Sequence, residues 1–341
     1  MGKKNVTFSD IAEYTHFSKT TISRYFNNPD SLTLENQQII AKALEALNYK
    51  ENKVARILAN GKTEFIGIII PNLYMHYYSA ILDQILATYE KYGYKFLVFT
   101  GNDNEEIERK YIQELLAYKI EGMIILSHTL SSKELASYNI PIVAIEREDQ
   151  YICSVNTDNY MGAVQATSLL VKSGAEILIH INADLSSDVP SYRRITGFMD
   201  TCTSQNLPHE LILTDTGHTY KESVDIFYRL LDEIEQKYKN TVKGLFLPND
   251  TFANIILNRL FQQYGRLPDD YKIIGFDDSP ISRESVIPTS TVGQQIDKIA
   301  DTALQILSER IKENHKRRPR TFIEPVHKVI TPILLKRDTT K

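Results

Sequence analysis

The sequence predicts an α/β protein, with a small all-α module at the N-terminus and a large core of parallel sheets covered by helices on both faces. Three observations carry this expectation. The first fifty residues hold three short helical patterns separated by cap signals. From Phe65 onward, apolar runs of five to seven residues alternate with longer helical patterns, the arrangement of parallel strands joined by crossover helices. The end of the chain, EPVHKVITPILLKR, adds strand-like stretches with no helix after them.

In the N-terminal module, Thr7 precedes FSDIAEY, and Asp10 three residues on makes an approximate capping box. Ile11 and Tyr14 follow at helical spacing and are expected to face inward. Ser18 caps a second helix, SKTTISRYFNN, whose inward positions are Thr21, Ile22 and Tyr25. The run Asn27-Asn28-Pro29-Asp30 ends it, because the residue before a proline is pushed out of the helical region. Thr33 caps a third helix with Ile39, Ile40, Ala43, Leu44 and Leu47 on its inner side. Three helices with a short turn between the first two form a helix-turn-helix arrangement. Residues 51–62, ENKVARILANGK, are weakly amphipathic and too short to hold a helix alone; they read as a linker.

Core strands are expected at 65–70, 94–99, 122–126, 140–145, 175–181, 209–214, 242–247 and 271–276, and helices at 76–92, 105–118, 159–173, 191–206, 219–239, 251–264 and 294–313. About eight such units suit either two doubly wound lobes or a closed barrel. The late strands without helices favour two open sheets that the returning chain completes.

Charge and chemistry narrow the function. The 341 residues carry a formal charge of −4. Residues 1–62 hold nine Lys and Arg against six Asp and Glu, so the excess of acid lies entirely in the core. A basic head on an acidic body points to a polyanion that meets only the head. In a helix-turn-helix the second helix enters the major groove and its first residues touch base edges. Lys19 and Thr20 stand there, Arg24 follows one turn on, and Ser18, Ser23 and Asn27 add hydroxyl and amide groups. Lys and Arg suit guanine O6 and N7, and Thr can meet a thymine methyl.

Cys153 and Cys202 are far apart and read as buried free thiols of a reducing compartment. The start MGKKNVTFSD lacks an apolar signal core, and no run reaches membrane-spanning length, so a cytoplasmic chain is expected. GxSxG, P-loop, HExxH and post-strand GxGxxG motifs are absent, and the eight histidines are dispersed. Asp277-Asp278 are adjacent carboxylates, but neighbours at a strand end point in different directions. Neither an enzyme nor a cofactor or metal is expected.

VTFSDIAEYTHFSKTTISRYFNN, then ALEALNYKENKVARILANGKTEFIGIIIP, NTDNYMGA, YRRITGF, LPNDTFA and IIGFDDSP together resemble the lactose-repressor (LacI/GalR) family of bacterial transcription regulators. The resemblance spans essentially the whole chain. It implies a homodimer with a helix-turn-helix domain at 1–50, a hinge helix at 51–62 and, at 63–341, a two-lobed core similar to periplasmic binding proteins. It implies double-stranded operator DNA and a sugar-like effector as partners, with no membrane. Lys19, Thr20 and Arg24 match the family's base-reading positions. Leu58 matches the leucine that wedges into a central base step, a kink that costs a few kcal/mol of unstacking, or it is simply a packing leucine. Lys53 and Arg56 could steady the hinge on phosphates. One departure is the turn Thr15-His16-Phe17, where the family usually has glycine; His tolerates a left-handed backbone better than most residues.

For the effector, the resemblance carries the pocket arginine onto Arg194 and the strand-end acid onto Asp277. The helix-opening pair falls on Asn249 and Asp250, and the lobe-crossing acid on Asp158. Tyr74, Tyr77, Tyr78 and Tyr220 are candidate platforms for a sugar ring. Each tyrosine could equally pack or lie on the surface, and Arg194 with Asp277 could be a structural ion pair. A transport protein with the same core is the rival reading, disfavoured by the head and the missing signal sequence.

Overall fold

The computed structural model describes residues 6–50, 62–147, 150–184, 189–316 and 324–341. Two compact units divide the chain, Met1–Lys62 and Thr63–Lys341.

In the first unit, helices α1 (Phe8–Thr15), α2 (Lys19–Asn27) and α3 (Leu34–Ala46) each start on a side-chain cap. Thr7 and Asp10 form a reciprocal capping box, with Thr7 N donating to Asp10 Oδ2 at 2.7 Å. Ser18 Oγ accepts from Thr21 N at 3.1 Å, and Thr33 Oγ1 from Asn36 N at 3.3 Å. Each bond satisfies one of the amides that a helix start leaves open. Ile11, Ile22, Ile40 and Ala43 form the buried centre, and Phe8 stacks on Phe26 with centroids 5.1 Å apart. Tyr14 and Ile39, expected inside from their spacing, are exposed instead. In so small a module each helix buries only a narrow stripe, centred on Ile11 and Ile40, and residues at its margin stay in water.

His16 ends α1 in the left-handed region, φ 58° and ψ 21°. A side chain there is strained relative to glycine. His16→Gly is therefore expected to stabilise this unit by about 0.5 to 1 kcal/mol. Slower hydrogen exchange at the Ile22 and Ile40 amides of the full chain would register the gain; unchanged or faster exchange would show that His16 contacts offset the strain.

The second unit holds two six-stranded sheets. Strands β1 (Phe65–Ile70), β2 (Lys95–Thr100), β3 (Gly122–Ile125), β4 (Ile142–Ile145) and β5 (Cys153–Thr157) belong to the first lobe. Strands β6 (Ile177–Ala183), β7 (His209–Thr214), β8 (Lys243–Phe246), β9 (Tyr271–Asp277) and β10 (Ser290–Gly293) belong to the second. The returning chain adds β11 (His327–Ile330) to the first and β12 (Ile333–Leu335) to the second. The orders are β11-β5-β4-β3-β1-β2 and β12-β10-β9-β8-β6-β7. All described pairs are parallel except β10 with β12. The sheets are open, so the barrel is excluded.

The chain passes between lobes three times. After β5, the helix Asn159–Lys172 buries Ala163, Ala166, Leu169 and Leu170 with Phe198, Phe246 and Phe276 of the second lobe. After β10, the helix Ile296–Asn314 returns Ile299, Ala303, Leu304 and Leu307 to the first-lobe core around Ile66, Ile68 and Val155. The third passage runs from β11 to β12. Apolar burial of this kind, at roughly 25 cal/mol per Å², makes each crossing helix part of the lobe it enters.

The eight strands expected from apolar runs all form. β5 and β10 were not among them, because CSVNT and STVG are polar. Their Ser154, Asn156, Ser290 and Thr291 are nonetheless buried, with hydroxyl partners such as His327 for Ser154 and Thr340 for Ser290. The single helix expected over 76–92 is two, His76–Ala87 and Tyr89–Tyr92, and short helices form at Ser132–Ala136 and Ile281–Glu284.

Candidate functional site

The carboxyl ends of both sheets face one cleft, with a cavity of about 290 Å³ between the lobes. Open parallel sheets gather ligand groups at such ends. The first lobe supplies Met75, Tyr77 and Tyr78 from the start of the helix after β1, Leu126 and His128 after β3, and Ile145 and Glu146 at the end of β4. The second supplies Asn182 and Ala183 from β6, Thr216 after β7, Pro248 and Asn249 after β8, Asp277 at the end of β9 and Gln294 after β10. Val189, Ser191, Arg194, Thr251 and Phe252 complete the wall.

Buried polar groups connect this wall to the lobe crossings. Glu146 Oε1 accepts from Thr157 N at 2.6 Å, and Glu146 Oε2 from Asn159 Nδ2 at 2.7 Å. Arg194 Nε donates to Asn159 Oδ1 at 2.7 Å and its Nη1 to Pro248 O at 2.6 Å, while its guanidinium lies 3.6 Å from the Phe276 ring centroid. Gln294 Nε2 donates to Asp277 Oδ1 at 2.6 Å, and Gln294 Oε1 accepts from Thr157 Oγ1 at 2.6 Å. The cleft wall is thereby bonded to residues at the lobe crossings.

Two wall carboxylates sit on left-handed backbone: Glu146 has φ 58° and Asp277 φ 109°. Non-glycine residues hold such conformations only where their surroundings enforce them, and they gather at functional sites. Asp277 is the last residue of β9 and pairs with Gly293 of β10. Burial pushes its carboxyl up to about 7; Arg194 and the Gln294 bond pull it back, and the Glu146 charge adds to the rise. The Tyr77 hydroxyl is buried without a hydrogen-bond partner. Burial pushes that phenol well above its ordinary range, so it stays protonated as a donor.

Of the effector residues expected from the sequence, Tyr77, Tyr78, Arg194, Asn249 and Asp277 line this cavity, and Tyr74, Asp158, Tyr220 and Asp250 do not. Arg194 and Asp277 form no ion pair with each other; the arginine donates instead to Asn159 and Pro248. Asp158 is a helix cap whose Oδ1 accepts from Met161 N at 3.0 Å. Tyr220 starts the helix Tyr220–Lys237 and is exposed. Tyr74 is half-buried outside the wall.

Asp250 lies beneath the wall, 1 % exposed. Its Oδ2 accepts from Ser279 N at 2.8 Å and its Oδ1 from Thr291 Oγ1 at 2.6 Å, tying the turn after β9 and strand β10 to the helix Asp250–Tyr264. Burial and the Asp277 charge hold this carboxyl above its usual range. Gly275 makes the clamp feasible, because a Cβ there would collide with Asp250 Oδ1 and crowd its Cα at 3.1 Å. Gly275→Ala is expected to destabilise this lobe by about 1 to 3 kcal/mol. A urea midpoint equal to that of the parent chain would contradict the clamp.

Glu146 and Gln294 were missed. The strand-end rule could have found Glu146, which directly follows the apolar run 140–145; Gln294 follows β10, whose polar sequence hid it.

In the first unit Lys19, Thr20 and Arg24 are exposed on α2. Thr20 and Arg24 are four residues apart and share a face. Ser18 is occupied as the cap, and Asn27 Nδ2 donates to Ser23 O at 3.0 Å and Ser23 Oγ at 3.1 Å. Lys53, Arg56 and Leu58 lie outside the described residues. Among the described residues no helix is long and apolar enough to cross a membrane, and no group of His, Cys, Asp and Glu has the arrangement of a metal site.

The family model described as periplasmic binding proteins and sugar binding domain of LacI family matches residues 63–231, and one described as periplasmic binding protein-like domain matches 167–331. The chain belongs to the LacI/GalR family. A ribose operon repressor of Halalkalibacterium halodurans is 27% identical, over 90% of this chain and 91% of its own. A sucrose operon repressor of Streptococcus mutans is 28% identical, over 93% and 96%. The LacI/GalR fold is also seen in the solved structure of the Lac repressor dimer bound to operator and an anti-inducer, with a TM-score of 0.78, 22% identity and 99% of each chain covered.

Proposed function

We propose that this chain is a homodimeric, sequence-specific DNA-binding transcription regulator, a repressor of sugar-utilisation genes, controlled by a sugar or sugar phosphate bound between the core lobes. One observation carries the reading: a helix-turn-helix with exposed Lys19, Thr20 and Arg24 shares a chain with a cleft whose wall is bonded to the lobe crossings. The names of the relatives, ribose and sucrose operon repressors, support it. Residues 51–62 act as the hinge between the domain at 1–50 and the core at 63–341, with Lys53 and Arg56 at phosphates and Leu58 as the wedge.

Phosphate contacts supply affinity, and Lys19, Thr20 and Arg24 supply discrimination, aided by Ser18, Ser23 and Asn27. In the cleft, Tyr77, Tyr78, Arg194, Asn249 and Asp277 meet the effector, while Asp250 braces the wall from beneath and Asp158 caps the helix of the first lobe crossing. A ligand that prefers one angle between the lobes shifts the protein toward that angle, and linkage makes the effect on DNA binding reciprocal. The work of the chain is binding, and no catalytic step is assigned to it. The rival, a sugar-binding transport protein, leaves the head without a role.

Fluorescence anisotropy of the full chain on duplexes from its own upstream region, with and without a panel of sugars, tests the reading. The expected result is operator binding that one sugar shifts at fixed salt. Equal affinity for upstream and random duplex under every condition would sink it.

A further inference from the structure

We propose that the cleft selects an uncharged sugar of single-ring size and rejects the phosphorylated or carboxylated form of that sugar. This narrows the effector of the proposed function and rests on that reading. The charged wall residues are two carboxylates, Glu146 and Asp277, against one guanidinium, Arg194. Among the described residues no Lys accompanies them in the wall. Arg194 donates through Nε and Nη1 to Asn159 Oδ1 and Pro248 O, so one partly engaged guanidinium stands against two carboxylates.

At two of the helix starts beside the cavity, amides are already engaged. Asn249 Oδ1 accepts from Phe252 N at 2.8 Å at one of them. At the other, His76 N donates to Thr251 Oγ1 at 3.3 Å and Met75 N to Asn72 Oδ1 at 3.2 Å. An anion would meet two like charges, in a site where low polarity strengthens repulsion.

Hydroxyl groups fare differently. Among the described residues the buried Tyr77 hydroxyl lacks an acceptor, and Asp277 lines the cavity with its Oδ1 held by Gln294. A neutral polyol satisfies both, accepting from the phenol and donating to the carboxylate. Phe252, Met75 and Leu126 offer apolar surface for a ring face. A volume of about 290 Å³ is at the low end of the roughly 300–1,000 Å³ of ligand pockets, so one ring fits better than two.

Isothermal titration of the full chain, at about pH 8 where Asp277 is ionised, tests this with ribose, glucose, fructose and galactose. Each is paired with its terminal phosphate ester and its sugar acid, and sucrose and cellobiose are added. The expected result is binding of one neutral monosaccharide, with its phosphate and acid roughly 100-fold weaker. Asp277→Asn should narrow the gap to the phosphate roughly tenfold. A phosphate, acid or disaccharide that binds as tightly as the best neutral monosaccharide would overturn this inference and leave the cleft as an effector site. An Asp277→Asn gap equal to that of the parent chain would overturn its electrostatic basis. If no member of any pair binds, the effector reading itself fails.

Discussion

Replacing Arg24 with alanine is expected to lower the preference of the full chain for its operator over scrambled duplex by roughly ten- to a hundredfold for each head engaged. A good side-chain pair to a base edge discriminates by about 1 to 3 kcal/mol, and two heads on a pseudo-palindromic site multiply the loss. Arg24 is exposed on the face it shares with Thr20, and α2 is held by the Ser18 cap and by Ile22, buried between α1 and α3. Removing the guanidinium thus removes the proposed reading group without touching the small core. Anisotropy on both duplexes at fixed salt measures it, because a contact to phosphate alone would weaken both alike. An unchanged ratio between the two duplexes would remove Arg24 from base reading.

Arg194→Ala is expected to destabilise the second lobe by about 3 to 5 kcal/mol, besides abolishing effector response. The side chain is 7 % exposed and joins Asn159 on one helix to Pro248 after β8, with Phe276 against its plane. Truncation leaves two buried acceptors without donors and a void over an aromatic ring. The sequence invites a different expectation, a variant blind to effector with operator binding nearly intact; the geometry says that the lobe itself weakens. Arg194→Lys should recover little, since an ammonium cannot reach two acceptors in the directions of the guanidinium fork. Urea unfolding of the full chain, followed through the core, reads the loss. An alanine variant with the parent midpoint would show that these bonds contribute nothing net.

Much of the fold was legible in the residues. Apolar runs marked the strands built from Ile, Leu, Val and Phe, and Thr7, Ser18 and Thr33 marked the helix starts, because both signals are local. Strands β5 and β10 were not legible. Their serines and threonines are buried through partners far along the chain, such as Ser290 with Thr340, and no local pattern announces such a partner.

The site shows the same division. The family resemblance placed Arg194, Asp277 and Asn249 at the cleft. Asp250, one position beyond Asn249, turned out to face Ser279 and Thr291 beneath it, since neighbours at a helix start project in different directions. Glu146 and Gln294 join the wall through strand ends that come together only when the two sheets face each other.

By itself, the sequence determined the order and kind of the elements, the helix-turn-helix with its exposed Lys19, Thr20 and Arg24, and the open parallel sheets that the returning chain completes. Periodicity, caps and turn residues act over a few positions and can be read without knowing the rest of the chain. Only the tertiary structure decided which carboxylates face the cavity, that Arg194 braces a lobe while lining it, and that the crossings at Thr157 and Gln294 are bonded to the wall. Those facts depend on contacts between residues 35, 54 and 137 positions apart, which packing sets and local sequence does not encode.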